Sequence, residues 1–154
     1  MAEGKFNENT RVQVPAALHL VRLGYTYLAG IKDDDFNADT NILTKIFLRS
    51  IKRINPDLSD ADAMVVLSDV IRILGNDDLG REFYEKLSSV SGIKLIDFDN
   101  VENNTFQVCH QVKFNEGGNT RIPDVLIYIN GLPLILMELK SFSEDATKAK
   151  LEDA

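Results

Sequence analysis

Apolar residues recur along the chain first at helical and then at strand spacing, and the change of period falls after Gly92. In residues 11–23, Val14, Ala17, Leu18 and Val21 fall at helical spacing. Proline is tolerated only in a first helical turn, so Pro15 predicts a helix starting near Val14, with Gly24 placed to stop it. A short strand is expected over 25–28, and the polar stretch 32–39 reads as a loop. Asp39 is placed to cap a second helix whose core face is Ile42, Leu43, Ile46, Phe47, Ile51 and Ile54, with Pro56 ending it. Ser59 and Asp62 have the spacing of an N-terminal cap for a third helix. Its stripe is Val66, Leu67, Val70, Ile71 and Leu74, and Gly75 sits at the C′ position. A fourth, shorter helix is expected over 79–87. Every one of these stripes reads as a core face rather than a partner-binding face.

Beyond Gly92, Ile93, Leu95 and Phe98 predict a short strand or an irregular segment. Residues 105–114 alternate, with Phe106, Val108, His110, Val112 and Phe114 on one face and Gln107, Cys109, Gln111 and Lys113 on the other. Residues 116–119 are a turn signal. Two nearly continuous apolar runs, 125–129 and 134–139, predict strands buried on both faces, joined by a hairpin loop Asn130-Gly131-Leu132-Pro133. Helical character returns at Ser143, with Ala146, Ala149 and Leu151. This order predicts one α/β domain over 1–154, with 1–10 disordered and a final helix over 143–154 cut by the chain end. The expectation is a fragment boundary near Ala154.

Composition narrows the class. At 154 residues, 44% hydrophobic and 27% charged, the chain suits one soluble globular domain. No apolar run approaches the roughly 18 residues of a membrane span. The first ten residues, MAEGKFNENT, lack the apolar segment of a secretory signal, so a cytoplasmic location without membrane contact is the default expectation. The single cysteine, Cys109, excludes an intrachain disulfide and a cysteine zinc site, and its alternating surroundings suit a structural thiol. His19 and His110 have no metal-site spacing, and Asp33-Asp34-Asp35 lacks the ligand spacing of an EF-hand. The net charge of −7 argues against a free-standing domain that grips DNA electrostatically, but allows a catalytic module delivered to DNA by other subunits.

The chemically informative segment is 121–140, RIPDVLIYINGLPLILMELK. Asp124 opens its first strand, and Glu138 and Lys140 close the second, thirteen residues separating Asp124 from Glu138. Residues two apart on a strand share a face, so Glu138 and Lys140 project together. If residue 129 faces 134, then Asp124 faces 139 and points away from both. An odd loop or a bulge instead brings 124 opposite 138 or 140. Two carboxylates can hold Mg²⁺, a lysine beside them can orient an attacking water, and the backbone carbonyl of Leu139 is a further candidate ligand. Charged residues at strand ends also form simple surface ion pairs, and Glu-x-Lys alone has little specificity. Gln107 and Gln111 are candidates to line the cleft, and Arg121 to meet a phosphate. Ordinary solvated positions explain all three at least as well.

Arg121-Ile122-Pro123-Asp124-Val125, Asn130-Gly131-Leu132-Pro133-Leu134 and Glu138-Leu139-Lys140 together resemble the N-terminal nuclease region of the type I restriction enzyme R subunit, a branch of the PD-(D/E)xK nucleases. Asn104-Thr105-Phe106-Gln107-Val108 and Leu20-Val21-Arg22-Leu23-Gly24-Tyr25 extend the resemblance over most of the chain. It implies a restriction-endonuclease-like fold, a central mixed β-sheet flanked by helices. It also implies Asp124 and Glu138 as ligands of Mg²⁺, with Mn²⁺ as substitute, and Lys140 as the catalytic lysine. The implied parent is longer: motor domains that use ATP follow, and modification and specificity subunits join it on DNA. No G-x-x-x-x-G-K-[S/T] loop occurs, so no ATP site is expected in this chain. Two departures stand out. The family's Gln-x-x-x-Tyr motif would fall beyond Ala154. The glutamate that many related nucleases carry on the first helix is also absent: Glu8 precedes the helix and Gln13 is only a polar substitute, and neither is assigned to the metal. Two alternatives remain, a non-catalytic docking module in which Glu138 pairs with Lys140 or Arg121, and another nuclease of the same superfamily.

Overall fold

Pro15 stands in the first turn of helix α1 (Val14–Arg22), where its missing N–H has no intrahelical acceptor to lose. The structure, a computed structural model, describes residues 12–140 except 33, 34, 38, 90, 117 and 118, with the backbone alone at 114–116 and 119. The terminal segments expected as a disordered tail and a last helix, like Glu8, lie outside the described residues. Strand β1 (Thr26–Tyr27) follows α1, then helices α2 (Thr44–Ile54), α3 (Asp60–Leu74) and α4 (Arg81–Leu87). Strands β2 (Phe106–His110), β3 (Phe114–Glu116), β4 (Asn119–Arg121), β5 (Val125–Ile129) and β6 (Leu132–Met137) complete the described order. The main sheet runs β1-β2-β5-β6, and β3 and β4 form a separate two-stranded ladder. β1 is parallel to β2, whereas β2–β5 and β5–β6 are antiparallel, so the main sheet is mixed. Among the described residues no helix is long and apolar enough to cross a membrane.

The period-two pattern of the strands sorts side chains between two faces. Val108, Val125 and Ile127 pack with Leu20 and Tyr25, on the side of α1. Their strand neighbours Cys109, Leu126 and Tyr128 pack with Phe36, Leu43 and Ile46, toward α2. Ile42, Phe47, Ile51, Ala63, Val66, Leu67 and Val70 form the α2–α3 core with Leu95 and Leu132. Complete burial of a side chain such as Phe47 is worth about 1.5–3 kcal/mol. Burial pushes the Cys109 thiol up to about 12, in keeping with a structural residue. Ser59 caps α3 as its spacing predicts, its Oγ accepting the Asp62 N–H at 3.1 Å.

The hairpin between β5 and β6 is locked onto these layers at its turn. Asn130 and Gly131 both have positive φ, 53° and 81°, the requirement of a two-residue type I′ turn. Asn130 is fully buried and its side chain is saturated. Its Oδ1 accepts the Thr105 N–H at 2.8 Å. Its Nδ2 donates to the Leu95 carbonyl at 2.9 Å and to Asn104 Oδ1 at 2.8 Å. The Gly131 carbonyl accepts the Leu43 N–H at 2.9 Å, and a Cβ at Gly131 would stand 2.7 Å from the Phe47 nitrogen. The turn is therefore pressed against the start of α2, where only glycine fits.

Several expectations are corrected. The stripe of α1 is not a core face: Ala17 is buried, but Leu18 is 54% exposed and Val14 and Val21 are also open. Leu20 faces the sheet instead, and the stripe borders a groove of about 330 Å³ with Tyr27 and His110. α2 starts at Thr44 without a side-chain cap, and Asp39 instead lies in an earlier turn in which Asn37 accepts the Asp39 and Thr40 N–H groups. α4 starts at Arg81 rather than at Leu79, and of the two readings of residues 93–98 the irregular segment holds. The alternating segment 105–114 forms a strand only to His110, since Gln111 has φ 52°. Leu132 and Pro133 belong to β6 rather than to the loop. Among the described residues β6 is an edge strand, and Ile135 and Leu136 are 43% and 45% exposed rather than buried on both faces. Pro133, which has no N–H to offer a neighbour, suits such an edge.

Candidate active site

A two-residue turn alone would align Asp124 with residue 137. The observed pairs are Ile129 with Leu132 and Tyr128 with Pro133, then Ile127 with Ile135, Leu126 with Leu136 and Val125 with Met137. Leu134 is the extra residue, a bulge that advances β6 by one position. Continued one step, the outer register sets 124 opposite 138. The bulge thus sets the register of the last observed pair, Val125 with Met137, and Asp124 and Glu138 stand one residue beyond it, outside both strands. Leu134 itself packs against the α2–α3 core, which gives the extra residue a fixed seat.

Asp124 follows the buried Pro123 and is itself half-buried. Its Oδ2 accepts the Leu139 N–H at 2.6 Å, so Leu139 meets it through its amide. Its Oδ1 accepts a hydrogen bond from Gln13 Nε2. Gln13, at the N-cap of α1, is buried, and its Oε1 accepts Gln111 Nε2 at 3.2 Å. The ends of α1, β2, β5 and β6 therefore converge on one carboxylate. Glu138 and Lys140 are exposed, and among the described residues no ion pair joins them.

Of the residues singled out in the sequence, Asp124 and Leu139 meet through a hydrogen bond, Gln111 is linked to Asp124 by way of Gln13, and Glu138 stands exposed beside Leu139. Gln107 and Gln111 do not share a strand face, because β2 ends between them. Gln107 is 5% exposed, and its Oε1 has no hydrogen-bond partner, so it is buried within the fold instead of lining an open cleft. Arg121 is exposed at the end of β4. Gln13 is the participant that sequence reasoning left unassigned. Its one visible signal was a polar residue at the head of an apolar helix.

The donor set is compatible with a hard divalent cation. Asp124 and Glu138 would supply carboxylate oxygens from just before β5 and just after β6, and a carboxylate has about four acceptor positions, of which Asp124 uses two. Among the described residues no group of three or more His, Cys, Asp and Glu gathers as a metal cage. A pair of carboxylates is the usual protein share for Mg²⁺, which keeps several waters, whereas structural zinc requires four ligands.

A profile of the family described as type I restriction enzyme R protein N terminus matches residues 5–154. The chain is 33% identical to a sequence named as the endonuclease subunit of type I restriction enzyme MjaIXP of Methanocaldococcus jannaschii, over 93% of the chain and 16% of the relative. It is 26% identical to the endonuclease subunit of type I restriction enzyme HindI of Haemophilus influenzae, over 60% of the chain and 10% of the relative. A third relative, named for the MjaVIIIP enzyme of M. jannaschii, is 46% identical over 56 residues, 36% of the chain and 5% of the relative. The chain thus spans about a sixth or less of the relatives it matches. No solved structure matches it at comparable stringency.

Proposed function

The chain belongs to the family of type I restriction enzyme R protein N termini, and from that premise we propose that it is the DNA-cleaving domain of such an enzyme, with Asp124, Glu138 and Lys140 as its working residues. The observation that supports the reading is the bulge at Leu134, which sets Val125 opposite Met137, so that the same register continued would bring 124 opposite 138. In this reading residues 1–154 are one domain with the restriction-endonuclease-like fold. The domain acts on cytoplasmic DNA as part of a larger R subunit whose motor domains use ATP. Modification and specificity subunits choose the site. That division of labour accommodates a net charge of −7, because the other subunits supply the grip on phosphate.

Asp124 and Glu138 would hold Mg²⁺, or Mn²⁺ in its place, with the Leu139 carbonyl as a further oxygen donor. The bound ion supplies Lewis-acid polarisation of a phosphoryl oxygen and a water of lowered pKa. Lys140, two residues from Glu138 on the same strand end, orients the attacking water and offsets charge developing on the phosphate. Gln111 and Arg121 would be the domain's further contacts with the strand being cut. Gln107, buried in β2, is given no role in this reading.

Metal binding tests the proposal more directly than cleavage. One saturable Mn²⁺ site, lost in both Asp124→Ala and Glu138→Ala, is the expected result for the chain or for the intact R subunit. Absence of specific binding in both would overturn the nuclease reading and favour a docking module.

A further inference from the structure

We propose that Gln13 is a positioning residue that holds the Asp124 carboxylate in its metal-binding orientation, and that Gln111 acts on Asp124 only through Gln13. The inference rests on Asp124 being a metal ligand, and it adds a role for two glutamines that the family resemblance leaves unassigned.

Three observations carry it. First, Gln13 is buried at 7% exposure at the head of α1, and its side chain makes no cap there. It spends its Nε2 donor on Asp124 Oδ1 instead. Second, the other carboxylate oxygen is held by the Leu139 N–H at 2.6 Å. One donor on each oxygen fixes the plane of the carboxylate and leaves acceptor capacity on both for a cation. Third, the Gln13 amide is itself oriented. Gln111 Nε2 donates to Gln13 Oε1 at 3.2 Å, so the amide nitrogen faces the carboxylate and the amide oxygen faces away. A rotated amide would set oxygen against oxygen.

The residue type follows from the electrostatics. An arginine or lysine at position 13 would satisfy Asp124 but compete with a divalent ion for its negative charge. A glutamate would repel Asp124 whenever the ion is absent. A glutamine donates without carrying charge, so it supports the carboxylate in both the loaded and the empty site. The left-handed φ of 52° at Gln111, directly after β2, is the backbone feature that accompanies its contact with Gln13. Glutamine is not a residue that relieves such a conformation, and the strain is of the kind that persists where surrounding structure holds it.

The test is a Mn²⁺ titration of the intact subunit followed by the electron paramagnetic resonance of free Mn²⁺, with thermal unfolding recorded for each variant. Gln13→Ala is expected to weaken binding by about 10–100-fold, the usual consequence of removing a hydrogen bond that orients a ligand. Gln111→Ala is expected to weaken it less, and the Gln13→Ala/Gln111→Ala double variant is expected to bind no worse than Gln13→Ala, because the relay is already broken. In cleavage assays of the assembled enzyme, the Gln13→Ala defect is expected to appear as a raised Mg²⁺ requirement that saturating metal relieves. Lys140→Ala should not be relieved in this way. Unchanged Mn²⁺ affinity in a folded Gln13→Ala protein would overturn the proposal, and additive losses in the double variant would overturn the relay. Should Gln13→Ala fail to fold, the exposed Gln111→Ala carries the test alone, and wild-type affinity there overturns the relay. The underlying reading fails separately: in that case wild type shows no saturable site, or Asp124→Ala keeps it, and the inference falls with it.

Discussion

At the closed end of the β5–β6 hairpin, Asn130 is sealed beneath α2 with its side-chain groups bonded to Thr105, Leu95 and Asn104. At the open end of the same two strands, Glu138 and Lys140 stand exposed, and Asp124 is steadied by a glutamine and one backbone amide. Both ends carry short motifs that look equally emphatic in the sequence. The difference teaches that Asn-Gly at the turn is there for stability, whereas the acidic and basic residues opposite contribute little to it. A saturated buried network is costly to breach, and an exposed carboxylate is not.

Substitutions can sharpen this contrast. Gly131→Ala is expected to have the largest effect, a loss of more than about 3 kcal/mol, since the new Cβ would meet backbone at both Phe47 and Leu43 and the positive φ disfavours any side chain. Urea denaturation followed by circular dichroism measures it, and a variant as stable as wild type would show that the turn is not clamped by α2. Asn130→Ala comes next, at about 2–3 kcal/mol, because it strands the Thr105 N–H and the Leu95 carbonyl in the interior. At the open end, Glu138→Ala is expected to shift stability by no more than about 0.5 kcal/mol while abolishing Mn²⁺ binding. Loss of stability comparable to Asn130→Ala would erase the contrast between the ends.

Acid titration probes the closed end once more. Asp97 lies beside Asn104, and its carboxylate accepts from the Asn103 side chain and from the Asp99 and Asn100 N–H groups. The Asn103 bond first, and the Asn100 N–H next, hold its pKa below the ordinary 3.8. A pKa depressed by folding adds stability that is complete above the unfolded value and is lost as pH falls through the folded one. Wild type should therefore lose stability below about pH 3.8, and Asp97→Asn should show a shallower acid limb in the same denaturation assay. Equal slopes would remove Asp97 from the network's contribution.

The sequence disclosed the elements whose signals are local. Pro15 at a helix start, Ser59 as a cap, and the extent of β5 all follow from single residues or a short period. Asn130-Gly131 was visible as a turn, but its length was not, because a loop of two residues or four depends on whether Leu132 and Pro133 find partners across the sheet. The α1 stripe misled for a related reason. Helical spacing identifies an apolar face but not whether another layer covers it, and here Leu20, outside the stripe, faces the sheet. The acidic pair was legible as a motif with a stated condition, an odd loop or a bulge, and Leu134 meets that condition. Gln13 was not legible as a partner of Asp124, because 111 positions separate them and nothing local marks the contact.

The bulge at Leu134 also makes hairpin length a matter of parity. Each residue added to or removed from the arms swaps which face of the sheet every later side chain occupies, much as a single-base indel shifts a reading frame. The spacing between Asp124 and Glu138 can then drift only in steps of two, and paired changes that cancel, such as a lost bulge with a turn one residue longer, leave it unchanged. Length variants of this hairpin that keep both carboxylates on one face should obey that arithmetic, whatever side chains fill the strands between.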